Sequence, residues 1–458
     1  MASRGIPRAM NLKTAQDPGD ASSGPALPYS KHEQRGWYMY DWAHAVFHST
    51  VVTLFLGPYL TALAKAAAGP DGRVHPLGIP VDPRSWWGYL ISISVLTQIF
   101  ALPAAGTIAD FSPNKKRLMF VFAYTGALAT AAMFFLHGDH YLMGGVLFLI
   151  ANLAFGAAVV VYNSFLPDIA PPERRDAVSS TGWGIGYLSG GLLLALNLVL
   201  FTKAKTFGLS ESMAVRINLG SAGVWWALFA LIPLAAIRKR PAGRKHGEGE
   251  GLVDSFREFL GTLREMRRYP QTLRFLIAFL LYSDAVQAVI ALSAQFGSDE
   301  LKISMTDLTE VILMVQFLAF FGSFLFDWIA KAIGAKPAVI VSLLIWTGVL
   351  ISMYVSVRTE TQFFIVAAVV AMVLGGTQAL SRSLFSLMIP KGREAEYFGI
   401  YEISDRGTSW ICPLLFGLAL QFTGSYRLSI LSLVIFFAAG LVVLLTVNVR
   451  QAAAEAAN

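Results

Sequence analysis

Apolar residues fall along this chain in long runs that are separated by short polar stretches. Most runs are close to the roughly 20 residues that a helix needs to cross the hydrocarbon core of a bilayer. Because no water reaches the backbone in that core, each run is predicted to be a helix. Aromatic residues near several ends, such as Trp37, are predicted to lie at the membrane interface. The predicted spans are 37–64, 86–109, 117–136, 141–163, 179–201, 216–237, 271–296, 308–330, 337–357, 361–388, 396–421 and 427–448.

A polar stretch interrupts this pattern near the middle of the chain. Six spans precede it and six follow, so the predicted fold class is all-α: a polytopic membrane protein with twelve transmembrane helices in two six-helix pseudo-repeats. The first tail has no apolar run, so no signal peptide is predicted. The predicted segments are a disordered tail at 1–36, a bundle at 37–237, a linker at 238–270, a bundle at 271–448 and a tail at 449–458.

Composition supports this interpretation, since 55% of the residues are hydrophobic and 14% are charged, whereas soluble domains carry about 25% charged residues. The net charge of +7 does not indicate nucleic acid as a partner, because the basic residues lie between the apolar runs. A single cysteine, Cys412, excludes an intrachain disulfide. No glycine-rich nucleotide loop precedes a lysine, so ATP is not the expected energy source, and no cofactor is predicted.

Lysine and arginine divide unequally between the two sides of the predicted membrane. The termini and the loops on their side carry 24, and the loops on the other side carry 9. The positive-inside rule therefore predicts that both termini and the linker are cytoplasmic. Apolar residues recur at helical spacing from Leu252 to Met266, with basic residues opposite, which favours a helix lying on anionic membrane lipids. A solvated linker is the alternative.

The junction of the second and third spans carries a glycine and an aspartate four residues apart, followed by three basic residues. This stretch resembles the cytoplasmic loop motif of major facilitator transporters. A glycine permits close approach of another helix, and a carboxylate near a helix end favours a cation or a helix N-terminus as partner. We expect that contact to hold the outward-facing state and to break on switching; a generic helix end with positive-inside charge is the alternative. The gate residues are Gly106, Asp110, Lys115, Lys116 and Arg117.

The two halves of the chain look related, since residues 163–171 and 382–390 share a serine and a proline at matching positions. The second half nevertheless departs from the gate motif, because Lys331 stands where an aspartate is expected. Asp327 lies four residues before it, so the two are predicted to pair with each other. No gate role is predicted there.

Five glycines lie in the fifth predicted span. The sequence around Gly186, Gly190 and Gly191 is similar to the antiporter motif of some facilitators, with Tyr187 in place of its proline. Small residues at this spacing let helices pack closely in lipid, and packing is the interpretation adopted here.

Charged residues inside spans are the candidates for transport chemistry, because a lone charge in a bilayer costs at least roughly 2.5–3.5 kcal/mol. Asp41, His44 and His48 are predicted to share one helical face, where a histidine could relay protons. Pairing of Asp41 with a loop arginine is nearly as favoured as a substrate role. Metal binding by the three is a weaker alternative. Asp284 lies midway along the seventh span and is the strongest candidate, with an internal ion pair as the alternative.

Four polar or charged residues of the tenth and eleventh spans are expected at one depth. The arginine among them could pair with a carboxylate or bind a substrate carboxylate, and a purely structural charge network is equally compatible with the pattern. The four are Arg382, Glu402, Asp405 and Arg406.

Four stretches, at 40–43, 162–173, 282–287 and 375–382, resemble the "unknown major facilitator" group, which includes the fungal autophagy-related vacuolar amino-acid effluxers. The resemblance implies twelve spans and, for the vacuolar members, export of amino acids such as leucine. Within these stretches Asn163, Gln287 and Gln378 join the substrate or coupling candidates. His44 and His48 depart from the group, so the vacuolar substrate need not transfer.

The combined prediction is a monomeric secondary transporter of the plasma membrane. It would carry a small zwitterion such as an amino acid, with Asp284 meeting an amine or a proton. A peptide, sugar or lipid cargo is the alternative within this class. A membrane metalloenzyme built on the histidines and a sensor built on the basic linker are the rivals from other classes.

Overall fold

A computed structural model describes residues 29–81, 83, 86–112, 114–239, 261, 264–406, 411, 412, 415, 416, 419, 423 and 425–457. The long helices of the first half are α1 (Lys31–Ala66), α2 (Trp86–Phe111), α3 (Lys115–Ala132), α4 (Tyr141–Asn163), α5 (Arg175–Thr202) and α6 (Glu211–Phe229). Those of the second half are α7 (Pro270–Gln295), α8 (Met305–Ile333), α9 (Ala335–Val355), α10 (Glu360–Ser386), α11 (Glu394–Arg406), α12 (Val434–Thr446) and α13 (Val449–Ala457). Short helices at Leu166–Ile169, Leu231–Ala236 and Tyr426–Ser432 flank α4, α6 and α12.

Helical spans dominate as the apolar pattern predicts. Eleven helical stretches in the described part of the chain are long and apolar enough to cross a membrane, which confirms an all-α polytopic fold. The predicted span at 396–421 begins within α11, and much of its remainder lies outside the described residues, so the count of twelve stays a prediction. The predicted surface helix of the linker lies almost entirely outside them as well.

Helix α1 changes its geometry along its length. It is α-helical over Lys31–Val46, π-helical over Phe47–Phe55 and α-helical again over Leu56–Ala66. It also begins before the predicted position 37. Trp37 is therefore inside the helix with its ring fully buried, and the prediction that it lies at the membrane interface is wrong. Its apolar ring packs in the protein interior instead.

Buried apolar side chains form two large clusters. The first runs from Trp37 to Ile237 and takes one member, Ala395, from later in the chain. The second runs from Met266 to Ala452. Each cluster is thus built almost wholly from one half of the chain, which matches the order of spans.

Helices that begin at opposite ends of the bundle differ in how their first-turn amides are hydrogen-bonded. Four of the helices that begin at one end of the bundle carry their own N-caps: Ser210, Ser304, Thr359 and Ser425 each accept a hydrogen bond from the amide three residues on. The opposite end contains the start of α1, the α2–α3 and α10–α11 junctions and the end of α6. We call this end the basic face, because it is the side on which lysine and arginine concentrate.

The packing of α6 against α3 gives a first test. A Cβ added at Gly223 would overlap the backbone of Ala127 and Ala131, so the two helices meet backbone to backbone. Gly223→Ala is expected to lower the free energy of unfolding by about 1–3 kcal/mol through overpacking. At Gly348 nothing lies within 4 Å of an added Cβ, and Gly348→Ala is expected to be neutral or to stabilise by up to about 1 kcal/mol. Thermal unfolding in detergent compares the two; equal shifts would contradict this packing.

Candidate functional site

Arg382 lies at the centre of a buried polar cluster that joins the two halves. It sits one turn before the basic-face end of α10 and is 2% exposed. Its Nε donates to Ser179 Oγ at 2.8 Å, its Nη2 donates to the Ser179 carbonyl at 2.8 Å, and its Nη1 donates to Asn163 Oδ1 at 3.3 Å. Its Nη2 also lies 3.6 Å from Asp41 Oδ2. Every face of this second-half guanidinium is therefore directed at first-half residues.

Asp41 receives partners on both carboxylate oxygens. Tyr162 O–H donates to Oδ2 at 2.6 Å, the same oxygen that faces Arg382. The other oxygen lies 3.4 Å from His44 Nε2. The carboxylate is 5% exposed, so these groups replace the water that it would otherwise need.

Aromatic rings enclose this ion pair. Trp37 stacks on Tyr162 with ring centroids 4.4 Å apart. The Arg382 guanidinium carbon lies 4.8 Å from the Trp37 ring, 5.3 Å from Trp183 and 5.9 Å from Tyr162. Cation–π contacts of this kind strengthen when they are desolvated. Gly182 leaves the space for this arrangement, because an added Cβ would overlap the Asp41 carboxylate and the Trp37 ring.

Further hydrogen bonds extend the cluster across the two halves. Ser179 Oγ donates to the Ala379 carbonyl at 2.8 Å, and Arg175 Nη1 donates to the Ser386 carbonyl at 2.6 Å. Asn163 Nδ2 donates to Glu402 Oε1 at 2.9 Å. Asn163 thereby links Arg382 of α10 to Glu402 of α11. We call the set formed by Asp41, Tyr162, Asn163, Ser179, Arg382 and Glu402 the latch.

A second cross-half contact involves the gate motif. Asp110 Oδ1 accepts from the Ala395 amide at 3.0 Å and Oδ2 accepts from the Glu396 amide at 2.8 Å. These are first-turn amides of α11, so a carboxylate from α2 occupies the position that a local N-cap fills elsewhere. Lys115 Nζ lies 3.4 Å from the same carboxylate. Both kinds of partner expected for Asp110, a cation and a helix N-terminus, are present.

The remaining gate residues support this contact unequally. An added Cβ at Gly106 would overlap the backbone of Ala395 and Glu396, so the glycine permits α2 and α11 to touch. Lys116 Nζ donates to the Ile237 carbonyl at 2.6 Å at the end of the first half. Arg117 is exposed. In the second half, Lys331 Nζ lies 2.6 Å from Asp327 Oδ2, the pairing that its spacing predicts.

The linker is fastened at both ends. Arg238 bonds Glu33 through its amide at 2.9 Å and through Nε at 2.8 Å, which ties the start of the linker to α1. At its other end, Glu265 accepts from Arg393 Nη1 at 2.7 Å, and Arg393 Nε donates to Glu396 Oε2 at 2.9 Å. Burial lowers the pKa of Arg393, but the two carboxylates outweigh that effect and raise its pKa overall, so its charge persists.

Asp284 occupies a different place from the latch. It is fully buried midway along α7, and its Oδ2 accepts from the Cys412 amide at 3.1 Å. Its Oδ1 makes no hydrogen bond within the described residues. Tyr282, two residues earlier, bonds Ser381 of α10 at 2.7 Å and fixes this part of α7. A buried carboxylate with an unused oxygen is suited to accept a proton or a cationic group.

Other candidates lie at or near the contact of the two halves. Tyr187 O–H donates to Gln378 Oε1 between α5 and α10. An added Cβ at Gly190 or Gly191 would crowd Gln316 of α8, whereas at Gly186 it would make only ordinary contacts of 3.5 Å. Gln287 is half-buried.

The structure does not bring the predicted histidine face together. His44 lies against Asp41, but His48 is exposed on the π-helical part of α1. The described residues contain no group of three His, Cys, Asp or Glu side chains placed to hold a metal. The side chains of Asp405 and Arg406 lie outside what the structure describes.

Sequence reasoning missed Tyr162 and Ser179 of the latch and the contact of Trp37 with Arg382. Trp37 and Tyr162 read as span-end or apolar residues and Ser179 as an ordinary helix residue, while Gly182 was counted only among the packing glycines of the fifth span. Tyr162 lies in the stretch 162–173 that resembles the group, which is the one signal that could have found it. The sequence carries no signal for the role of Glu265, because its partner Arg393 lies far along the chain.

The helical spans, the two apolar clusters and the glycine–aspartate gate define a transporter of the major facilitator class. The human organic anion transporter MFSD10 superposes with a TM-score of 0.69 over 91% of this chain and 100% of its own, at 13% identity. A bacterial homologue of the iron transporter ferroportin superposes with a TM-score of 0.65 over 92% and 99%, at 12% identity. These likenesses establish the fold.

Sequence comparison gives the family. The family described as "Vacuole effluxer Atg22 like" matches residues 29–175 and 170–457, and the chain belongs to it. An uncharacterized MFS-type transporter, YxiO of Bacillus subtilis, is 30% identical over 90% of this chain and 94% of its own. Autophagy-related protein 22 of Coccidioides immitis is 27% identical over 87% and 84%.

Because their charges are buried together, Asp41 and Arg382 make interdependent contributions to the free energy of unfolding. Arg382→Gln leaves Asp41 buried without its cation and is expected to lower the free energy of unfolding by about 3–5 kcal/mol. Asp41→Asn combined with Arg382→Gln leaves no lone charge and is expected to recover part of that loss. Thermal unfolding of the two single variants and the double variant measures the coupling. Additive losses would contradict a direct interaction.

The gate predicts a change in access to the basic face. Asp110→Asn removes the charge and one of two acceptors from the start of α11. In a Cys412→Ala background, maleimide labelling of buried Ser164→Cys is expected to accelerate about tenfold, equivalent to about 1.4 kcal/mol. Asp71→Asn, in an exposed loop at the other end, is the matched control and should not change the rate. A gate variant that labels no faster than this control would contradict the assignment.

Proposed function

We propose that this chain moves a small zwitterionic solute of the amino-acid class across the plasma membrane by alternating access, coupled to protons. In this proposal residues 37–237 and 271–448 form two six-helix bundles that rock about a central site. The observation that supports this proposal most strongly is the latch. There Arg382, from the second half of the chain, is held by first-half residues at the basic face. Such a contact is suited to break and re-form as that face opens and closes.

The side on which the latch lies follows from charge. We infer that the basic face is cytoplasmic, because lysine and arginine concentrate in its loops. The conformation described here is then closed toward the cytoplasm by two separate devices, the latch and the Asp110 contact with α11. Opening requires both to release, which supports a cycle with a defined outward-facing state.

In the closed state, this proposal does not assign substrate binding to Arg382. Its donors are taken by Ser179, Asn163 and Asp41. A solute carboxylate reaches it only after the latch releases. The solute's amine is assigned to Asp284, whose buried carboxylate has one oxygen without a hydrogen bond within the described residues.

The solute class is supported by this chemistry and by the relatives. An amino acid presents a cation for Asp284 and an anion for an arginine, which matches the charges buried near the contact of the halves. The family is described as a vacuole effluxer, which favours export as the physiological direction. A monomer is sufficient, since both devices form within one chain.

Transport by reconstituted protein tests the proposal. Proteoliposomes with an imposed pH gradient are expected to accumulate labelled amino acids, and a thermal-shift screen should rank amino acids above sugars and nucleosides. Stabilisation and flux confined to sugars or nucleosides would overturn the solute class.

A substitution tests the assigned carboxylate. Asp284→Asn retains the shape and a hydrogen-bond acceptor but cannot hold a charge, so gradient-driven uptake is expected to fall at least about tenfold. Asp139→Asn, an exposed carboxylate in the α3–α4 loop, is the control and should transport like the parent. Full uptake by Asp284→Asn would remove Asp284 from the mechanism.

A further inference from the structure

We propose that the Asp41–His44 pair is the binding site of the coupling proton, and that this proton releases Arg382 from the latch and opens the basic face. The inference rests on the proposed function, because it names the place where the coupling ion acts. It concerns a different site from Asp284, which lies in the second apolar cluster with α7.

The Asp41 carboxylate is shared between two competitors. One oxygen takes the Tyr162 hydroxyl at 2.6 Å and faces the Arg382 guanidinium at 3.6 Å. The other oxygen lies 3.4 Å from His44 Nε2. Arg382 contacts this carboxylate from the second half of the chain, whereas His44 contacts it from the same helix. A change in the charge of His44 therefore alters the strength of the Asp41–Arg382 contact between the two halves.

In the part of the chain that the structure describes, the ring of His44 lacks the hydrogen bonds that buried histidines usually make. Neither ring nitrogen makes a hydrogen bond within the described residues. The ring is enclosed by the edges and faces of Tyr40, Phe155 and Tyr162, with centroids 4.9, 5.1 and 5.9 Å away. The Asp41 carboxylate lies beside this ring, with Oδ1 3.4 Å from Nε2. Protonation adds an N–H donor to a ring that already faces this acceptor.

A charge count gives the direction of the effect. With His44 neutral, the charges of Asp41 and Arg382 balance each other. With His44 protonated, two cations compete for the Asp41 carboxylate in a buried, aromatic surrounding. Like charges repel strongly where water is excluded. Departure of the guanidinium removes that cost, because Asp41 and His44 then form a neutral pair.

A neighbouring carboxylate, Glu402, offers the released guanidinium a new partner. Tyr40 and Tyr162 are the titratable side chains that face the pair from α1 and α4, and both phenols are neutral near pH 7. Glu402 lies on the far side of Asn163, where it bonds the amide that also contacts Arg382. It is placed to receive the cluster's positive charge on the α11 side, away from Asp41.

Departure of Arg382 has consequences beyond one ion pair. The guanidinium also holds Ser179 through both its hydroxyl and its carbonyl. Movement of Arg382 therefore loosens α10 from α5 and from α1 together. A proton at Asp41–His44 thus favours the open basic face, which is the coupling that a proton-driven carrier requires.

Distances between spin labels test the proposal without any solute. Labels at Glu173→Cys and Lys391→Cys, exposed positions in the two halves at the basic face, report its opening in a Cys412→Ala background. The pH is then lowered from about 8 to about 5.5. This change is expected to raise the long-distance population of the parent about fivefold, and a His137→Gln variant, changed at an exposed histidine of the α3–α4 loop, should behave like the parent.

The two site variants are expected to move in opposite directions. His44→Gln cannot take up the proton and should keep the short distance at both pH values. Asp41→Asn cannot hold Arg382 by charge and should show the long distance at both. If His44→Gln retains the parent's pH response, or if the parent has none, the proposal is overturned. This outcome is independent of which solute is carried, so it is distinguishable from failure of the transport assay.

Discussion

Charge buried in lipid must be matched by charge or by hydrogen bonds, and this constraint organises the molecule. Arg382 and Asp41 satisfy each other across the two halves, with Ser179, Asn163 and Tyr162 filling the remaining positions. Since a lone charge is costly in both conformations of a carrier, a contact of this kind cannot simply be lost; its members must be offered new partners. A proton, a solute and water in an opened cleft are the partners that the proposed cycle makes available.

The two closures at the basic face rely on different physics. The latch is an ion pair wrapped in aromatic rings, whereas the gate is a carboxylate on the first amides of α11. Four helices that begin at the opposite end have their own serine or threonine caps. Helix α11 is served by Asp110 from the other half instead. Its N-terminal turn is complete only while the halves are together, so the stability of that turn depends on conformation. Asp327, paired locally with Lys331, gives no equivalent contact in the second half.

Much of this organisation could be predicted from the sequence, because helix length and apolar content are local properties. The spans and the gate aspartate with its kinds of partner followed from spacing, charge and resemblance. The partner of Arg382 did not follow, since pairing with Asp41 is set by tertiary packing between the first and tenth helices. The same applies to Trp37, whose position near a predicted span end favoured the interface, although its ring lies under Arg382. The exposure of His48 depends on the π-helical segment of α1, for which apolar periodicity gives no signal.

The nearly self-contained first cluster bears on how the protein is made. Its buried residues all precede the linker except Ala395, and the Glu33–Arg238 bond closes that part of the chain at its end. During synthesis, these residues emerge first and have their packing partners at once. Asp41 and Asp110 are among the first-half residues whose cross-half partners are translated later. Until those partners emerge, the first half has only its own groups for the two carboxylates: Tyr162 and His44 for Asp41, and Lys115 for Asp110.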